Sequence, residues 1–494
     1  MLLFVSLTAA AQDGVRIGCR RGTHPPKMLS HRSLLQKEGG AEPCYFGKQH
    51  QLVVLASFTD KCFVGDEAAT IMQWEKIFNA ENFTEAPFVG SVHDYFYDQS
   101  YGQFNLTFDL KYVSLDNSIV KYRSTGANGD DENSQYLVCD VVDVLEQYDI
   151  DWSLYDWNGD GYVNQLLIVF PGKGQNDGGG TNSIWPHQWW LSWHEKDRQP
   201  YVYCEPRLVE YDGKTFAIDC YCALNELSGN GDYGSFGTIC HEYSHCFGLP
   251  DFYFGNSSVV KDWDLMDYGN YNGGGFCPCG YSAHERMLMG WLTPQELTAE
   301  TTISGMDALH SSADAYLVRN DAFPQEYYII ENRQQRGWDA ALPGSGLLIF
   351  HIDYDEDEWE IGMPNLAQNK RYTLFHANNI QTTSTEADWP YPYGNNNSLT
   401  NDSQPAAIIY HANDDGQEFM SKPITNISVD NGLASFDFTV GGASAVVVPK
   451  YSKLHSPTLY TLDGCRVQTP ISGQIYLVRG DDGKVMKTVY RYAK

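Results

Sequence analysis

The stretch Thr238-Ile239-Cys240-His241-Glu242-Tyr243-Ser244-His245-Cys246-Phe247-Gly248-Leu249-Pro250-Asp251 decides how this chain is read. It holds H-E-x-x-H, then a glycine, then an aspartate three residues further on. On a helix, positions i and i+4 share a face, so His241 and His245 can offer two imidazole nitrogens to one metal ion. Glu242 lies one position along, beside the metal. A zinc hydrolase needs a carboxylate there to take a proton from the attacking water. Gly248 and Pro250 stop the helix, and the turn they allow brings Asp251 back as a third ligand. Three protein ligands leave a position for water, as a catalytic rather than a structural zinc requires.

The rest of the chain sets bounds. Its 494 residues have room for two or three domains, and 42% hydrophobic with 14% aromatic residues can bury large cores. The formal charge is -30, from 63 acidic and 33 basic residues. That balance argues against nucleic acid and anionic membrane surfaces as partners, because phosphate binding needs clustered Lys and Arg. Leu2 to Leu7 is an apolar run and Ala9-Ala10-Ala11 a cleavage-like triplet before Gln12, so residues 1–11 read as a signal peptide. No other stretch approaches the ~18 apolar residues of a membrane span. Export permits disulfides, but the spacings of the 12 cysteines, Cys220-Tyr221-Cys222 and Cys277-Pro278-Cys279 among them, fix no framework.

Residues 12–44 are polar and basic and read as a leader or short pro-segment, in which Cys19 is an ordinary leader cysteine or, less simply, a thiolate cap for the metal. Leu52 to Phe58 reads as a buried strand, Phe104 to Leu110 as a second and Val163 to Phe170 as a third. Ile71–Phe78, Ser91–Phe96 and Ser134–Leu145 carry helical periodicity, and Ser282–Leu292 reads as a helix after the metal motif. Beyond Thr293 the pattern turns to alternating strands: Ala315–Val318, Glu326–Glu331, Gly346–Ile352, Ala406–Tyr410 and Ala434–Val440. His187, in Ile184-Trp185-Pro186-His187, reads as a hydrogen-bonded structural histidine rather than a substrate contact.

A second candidate cation site precedes the metal motif. Asp156-Trp157-Asn158-Gly159-Asp160-Gly161-Tyr162-Val163-Asn164 has the D-x-[DN]-x-D-G spacing that surrounds Ca²⁺ with oxygens at alternate positions. Leu167 stands where an EF-hand places its bidentate Glu, so the loop is not an EF-hand. Asp156, Asn158, Asp160, the Tyr162 carbonyl and Asn164 are its candidate ligands; the alternative is an Asx-rich turn without metal.

At H-E-Y-S-H-C-F-G-L-P-D and at Trp263-Asp264-Leu265-Met266-Asp267-Tyr268, the chain resembles the M6 metallopeptidases, the immune inhibitor A family within the metzincins. The resemblance spans most of residues 45 to 441. It takes in Ser91-Val92-His93-Asp94-Tyr95-Phe96, Ile184-Trp185-Pro186-His187, Tyr281-Ser282-Ala283-His284-Glu285-Arg286 and Glu331-Asn332-Arg333-Gln334. It implies a secreted zinc endopeptidase acting on proteins or peptides. In that frame His241 and His245 match metal ligands, Glu242 the general base, and Met266 the Met-turn beneath the metal. Asp251 is the matching third ligand, with Asp264 and Glu285 as rivals, and Tyr268 is placed to stabilise a reacting oxyanion. The implied fold is α/β: a metzincin-like zinc peptidase domain (45–298) with a twisted mixed sheet and active-site helix, then a β-rich, sandwich-like domain (299–441) and a short β-rich tail (442–494). The tail around Tyr460 to Val489 is similar to C-terminal segments of secreted Bacteroidetes proteins, which implies export. The expected cofactors are one catalytic Zn²⁺ and a structural Ca²⁺. The readings from other classes are a non-catalytic secreted binding protein on a protease scaffold and a zinc hydrolase of another amide bond.

Overall fold

The computed structural model describes residues 45–440, apart from 124–132, 193–204, 235, 255–256, 361, 363 and 381–384, and four short strands between Thr458 and Val489. The signal-peptide and leader expectations, Cys19 included, lie outside the described residues. The chain divides into two compact units, Met1–Gly441 and Gly442–Lys494.

Strand β1 (Gly47–Ser57) is an inner strand of the main sheet of the first unit. Its apolar run is buried on both faces, and successive side chains enter different cores. Val53 and Leu55 join Trp74, Tyr243 and Phe247, whereas Leu52, Val54 and Ala56 join Leu137, Val138 and Val141. A continuous apolar run is what a sheet covered on both sides demands. β2 (Phe104–Ser114) pairs with β1 in parallel. After β3 (Tyr162–Val163), β4 (Leu166–Lys173) pairs with β1 in parallel on the other side. β5 (His187–Trp190) forms the edge, β6 (Arg207–Tyr211) and β7 (Lys214–Ile218) join β3 in a separate small sheet, and β8 (Cys220–Leu227) runs antiparallel to β5 and parallel to β4. The order is β2-β1-β4-β8-β5, a mixed sheet as expected.

Helices cover it. α1 (Glu67–Asn79) is capped by Asp66, and α2 (Val92–Gln99) opens on a capping box between Ser91 and Asp94. Both send apolar side chains into the core of Val53 and Leu55, and α3 (Ser134–Leu145) covers the opposite face. α4 (Phe236–Ser244) carries the metal motif and is buried all round. It lies so close to the following loop that a Cβ on Gly237 would sit 1.8 Å from the Asn270 carbonyl oxygen. Only glycine permits that approach.

The strands after residue 295 build two further sheets. β9 (Gln295–Glu296), β11 (Ala315–Arg319), β12 (Glu326–Arg333), β13 (Gly346–Asp353) and β14 (Tyr372–Leu374) form one, in the order β14-β13-β12-β11-β9. β10 (Thr301–Met306), β15 (Ile424–Asp430) and β16 (Leu433–Phe438) form the other. Residues on one face of the first, Ile329, Leu348, Phe350 and Tyr372, belong to the same apolar cluster as Phe236, Tyr243 and Met266. Packing therefore runs across the expected boundary at 298/299. The alternate residues Tyr328, Ile330, Leu347 and Ile349 pack with Ile303, Ile427 and Phe436. The tail is a four-stranded antiparallel sheet over Thr458–Tyr460, Arg466–Val467, Ile475–Arg479 and Val485–Val489.

Three elements differ from expectation. Ala406–Tyr410 is not a strand and contributes only the isolated bridge Ile408–Phe419. Its end is captured instead by the Glu326 carboxylate, which accepts from the amides of Tyr410 and His411. The strand expected over Val163–Phe170 is two strands in two sheets. Asn164 turns the chain between them by donating to Tyr155 O and accepting from the Trp157 amide. The helix expected over Ser282–Leu292 is α5, only Ala283–Leu288, and Gly290 at φ 77° ends that turn.

Candidate metal centre

His241 lies in the last turn of α4 and His245 opens a 3₁₀ turn, His245–Phe247, that continues it. Gly248 then takes φ 80°, the left-handed conformation that glycine adopts at low cost. This reverses the chain, so that the Leu249 carbonyl faces back towards His245. His245 donates through Nδ1 to Leu249 O at 2.7 Å, and His241 donates through Nδ1 to Leu265 O at 2.8 Å. With both Nδ1 protons engaged, the Nε2 atoms of the neutral imidazoles carry the lone pairs, as in ligating imidazoles oriented by backbone carbonyls.

Those lone pairs converge on Asp251. Its Oδ1 lies 3.1 Å from His241 Nε2 and 3.5 Å from His245 Nε2, and all three residues are buried. Yet Asp251 Oδ1 accepts no aligned hydrogen bond; the contact is one of charge proximity. The group His241, His245 and Asp251 is the one cluster of metal-ligating side chains among the described residues. Three buried lone-pair atoms facing one another repel unless a proton or cation lies between them. For the proton, the two imidazoles differ. Burial opposes charge on His241, but the Asp251 carboxylate outweighs it and lifts the group to about 9. Burial prevails at His245 and lowers it to about 4. A divalent cation satisfies all three at once, so the donor set fits a metal with two imidazole ligands and one carboxylate.

Glu242 flanks this cluster. Burial raises its carboxyl to about 7, His241 and His187 pull it down, and the Asp251 charge pushes it up. Its Oε2 accepts no hydrogen bond among the described residues. A carboxyl that titrates near neutrality can both accept and return a proton. Glu242 shares a small, partly enclosed pocket with His241, Trp185, Tyr253, Tyr268 and Tyr271.

The other expected residues fall as follows. Met266 is wholly buried, and its turn serves the site through the backbone: Leu265 O orients His241, and Met266 O accepts from the amide of Phe252, next to Asp251. Tyr268 is half-buried at the pocket, its ring 5.9 Å from that of Tyr253, which lies 6.3 Å from the His241 ring. Asp264 does not enter the cluster. Its Oδ1 accepts from the Met266 amide and its Oδ2 from the Tyr372 hydroxyl. Glu285 is spent on the capping box of α5, with its Oε2 accepting from the Ser282 amide. His187 is tied to Trp185 O and Tyr221 Oη, as a structural histidine is.

The Asp156–Asn164 loop is held together by its own amides. Asp156 accepts from the amides of Asp160 and Gly161, Asp160 from that of Tyr162, and Asn164 from that of Trp157. Asn158 donates to Asp160 Oδ2. This is the hydrogen bonding of an Asx-rich turn.

Sequence reasoning missed the two orienting carbonyls, because a backbone acceptor has no residue signature. It also missed Tyr253, Asn270 and Tyr271 as pocket walls. The tyrosine beside the HExxH-to-Asp turn was the available signal, since Tyr253 follows Asp251 by only two positions.

Comparison with known proteins agrees with this geometry. Residues 72–290 match the family model for the immune inhibitor A peptidase M6 catalytic domain. The chain is 26% identical over 288 residues to immune inhibitor A of Bacillus thuringiensis subsp. alesti, covering 52% of this chain and 37% of that protein. It is 24% identical over 257 residues to the pre-pro-metalloprotease PrtV of Vibrio cholerae serotype O1 (strain M66-2), covering 44% of this chain and 26% of that protein. The chain thus spans well under half of either relative. Over residues 72–290 the chain is thus similar to the catalytic domain of the M6 metallopeptidases.

Proposed function

We propose that this M6-like domain makes the chain a secreted, zinc-dependent endopeptidase that hydrolyses peptide bonds in proteins. The observation that carries the reading is the convergence of His241 Nε2, His245 Nε2 and Asp251 Oδ1 beside a buried Glu242. Two imidazoles and a carboxylate are a zinc donor set that leaves a coordination position open. Zinc bound there would supply a Lewis acid and lower the pKa of an attacking water.

The chain's own residues do the remainder. Glu242 takes the proton of the attacking water and returns it to the departing amine. The Leu249 and Leu265 carbonyls hold both imidazoles in one tautomer. Tyr268, at the pocket, donates its phenol hydrogen to the oxyanion that develops on the scissile carbonyl. The pocket walls Trp185, Tyr253 and Tyr271 take the polypeptide. The arrangement is metzincin-like, with Met266 under the site. Its division into a catalytic part (45–298), a β-rich part (299–441) and a tail (442–494) is likewise proposed. Export rests on the apolar start and the Ala9-Ala10-Ala11 triplet. None of the described helices is long and apolar enough to cross a membrane.

Cleavage of azocasein by the purified chain tests the reading. Activity should vanish with a chelator, return with zinc, and be lost in Glu242→Ala. A folded, zinc-loaded wild type that cleaves neither azocasein nor a peptide library would overturn it in favour of a binding protein or a hydrolase of another amide.

A further inference from the structure

The metal site is completed from outside the HExxH region. Phe252 follows Asp251 directly, and three groups fix it. Its amide donates to Met266 O at 2.9 Å. Its carbonyl accepts from Asn365 Nδ2 at 2.9 Å. Its ring stacks on that of Tyr372, with centroids 3.8 Å apart and planes within 13°. Asn365 and Tyr372 form one unit, because Asn365 Oδ1 accepts from the Tyr372 amide and Nδ2 donates to the Tyr372 carbonyl, both at 3.0 Å.

The same tyrosine reaches the Met-turn. Its hydroxyl donates to Asp264 Oδ2 at 2.7 Å, while Asp264 Oδ1 accepts from the Met266 amide at 2.8 Å. That carboxylate shapes the turn that presents Leu265 O to His241. Asn365, Tyr372, Phe252 and Asp264 are all buried. A buried side chain with every polar atom committed has one low-energy placement, and so does the backbone it binds.

We infer that Tyr372 and Asn365 are positioning residues of the metal centre, setting Asp251 through Phe252 and His241 through Asp264 and the Met-turn. Residues 299–441 then act on the chemistry: they fix the third ligand and the orienting carbonyl of the first. The inference rests on the zinc-peptidase reading above. Partners that orient metal ligands typically change affinity or activity by about 10- to 100-fold when removed.

The test uses the full chain and three variants. Tyr372→Phe keeps the ring on Phe252 and removes only the hydroxyl. Asn365→Asp keeps the acceptor for the Tyr372 amide and removes the donor to Phe252 O. Tyr328→Phe is the control, since it also loses a buried phenol hydrogen bond in the same sheet, to Ile408 O, on the face away from the site. The readouts are zinc affinity by chelator competition, the visible spectrum of the cobalt-substituted protein, and kcat against KM. Tyr372→Phe should weaken zinc binding about tenfold, shift the cobalt bands and lower kcat with little change in KM. Asn365→Asp should act in the same direction, and Tyr328→Phe should match wild type in all three. If Tyr372→Phe does not fold, Asn365→Asp alone decides. Wild-type zinc affinity and cobalt spectrum in the folded variants would overturn the inference and leave the zinc reading standing. A wild type that binds no zinc would overturn the zinc reading itself.

Discussion

Two stretches of this chain carry metal-like spacing, and they differ in what their own amides do. In Asp156–Asn164, each acidic side chain already accepts from the loop's backbone, so the carboxylates serve the turn. In His241–Asp251 the hydrogen bonds go the other way. Backbone carbonyls take the Nδ1 protons and leave three lone pairs facing each other. Depth differs too: Asp160 is exposed, whereas Asp251 is buried. A cation therefore has a different meaning in each place. At the first it would join groups that the loop's own amides already satisfy; at the second it would take the place of the proton that Asp251 draws onto His241 and engage all three donors at once.

The sharpest way to break this comparison is to remove a converging atom. His245→Ala or Asp251→Ala should abolish metal retention after dialysis and, with it, proteolysis, whereas Asp156→Ala should retain the metal in full. Metal content by plasma mass spectrometry reads this, and equal loss in both stretches would contradict it. Next in size, Glu242→Ala should keep the metal and lower kcat by about 10²- to 10⁴-fold, the range for general acid–base groups. If its kcat on azocasein stays near that of wild type, Glu242 is not the proton carrier. Tyr268→Phe should lower kcat by about 10²-fold with KM nearly unchanged, as for one lost oxyanion donor. An unchanged kcat would reduce Tyr268 to a pocket wall. The smallest effect is thermodynamic. Asp156→Ala strips two amides of their acceptor and should cost about 1 kcal/mol in a denaturant titration, with activity per folded molecule unchanged.

The legible part of the site is the part that lies close together in sequence. HExxH fixes three residues by helical geometry, and Gly248 signals the reversal that brings in Asp251. Asp264 and Glu285 remained rivals in the sequence because composition cannot show that one caps a turn and the other a helix. In the central sheet β1 and the greater part of β4 were legible because both faces are covered there, which forces continuous apolar runs such as Leu52 to Ala56, whereas the strands β5 and β8 were not read. Local pattern failed where a side chain overrides it. Glu326 captures the amides at Tyr410 and His411, and Asn164 turns Val163 out of the strand that follows. Tyr372 and Asn365 lie more than a hundred residues beyond Asp251. Their link to the site is made by folding, which places β14 against Phe252, and no local pattern carries it.

The central claim is that His241, His245 and Asp251 hold the metal and that the rival carboxylates do not. Zinc stoichiometry of the dialysed full chain, measured beside Asp251→Ala, Asp264→Asn and Glu285→Gln, tests it most directly. The account predicts a single zinc ion per chain in wild type, none in Asp251→Ala, and zinc retained in the other two. Zinc kept by Asp251→Ala but lost from Asp264→Asn or Glu285→Gln would contradict it.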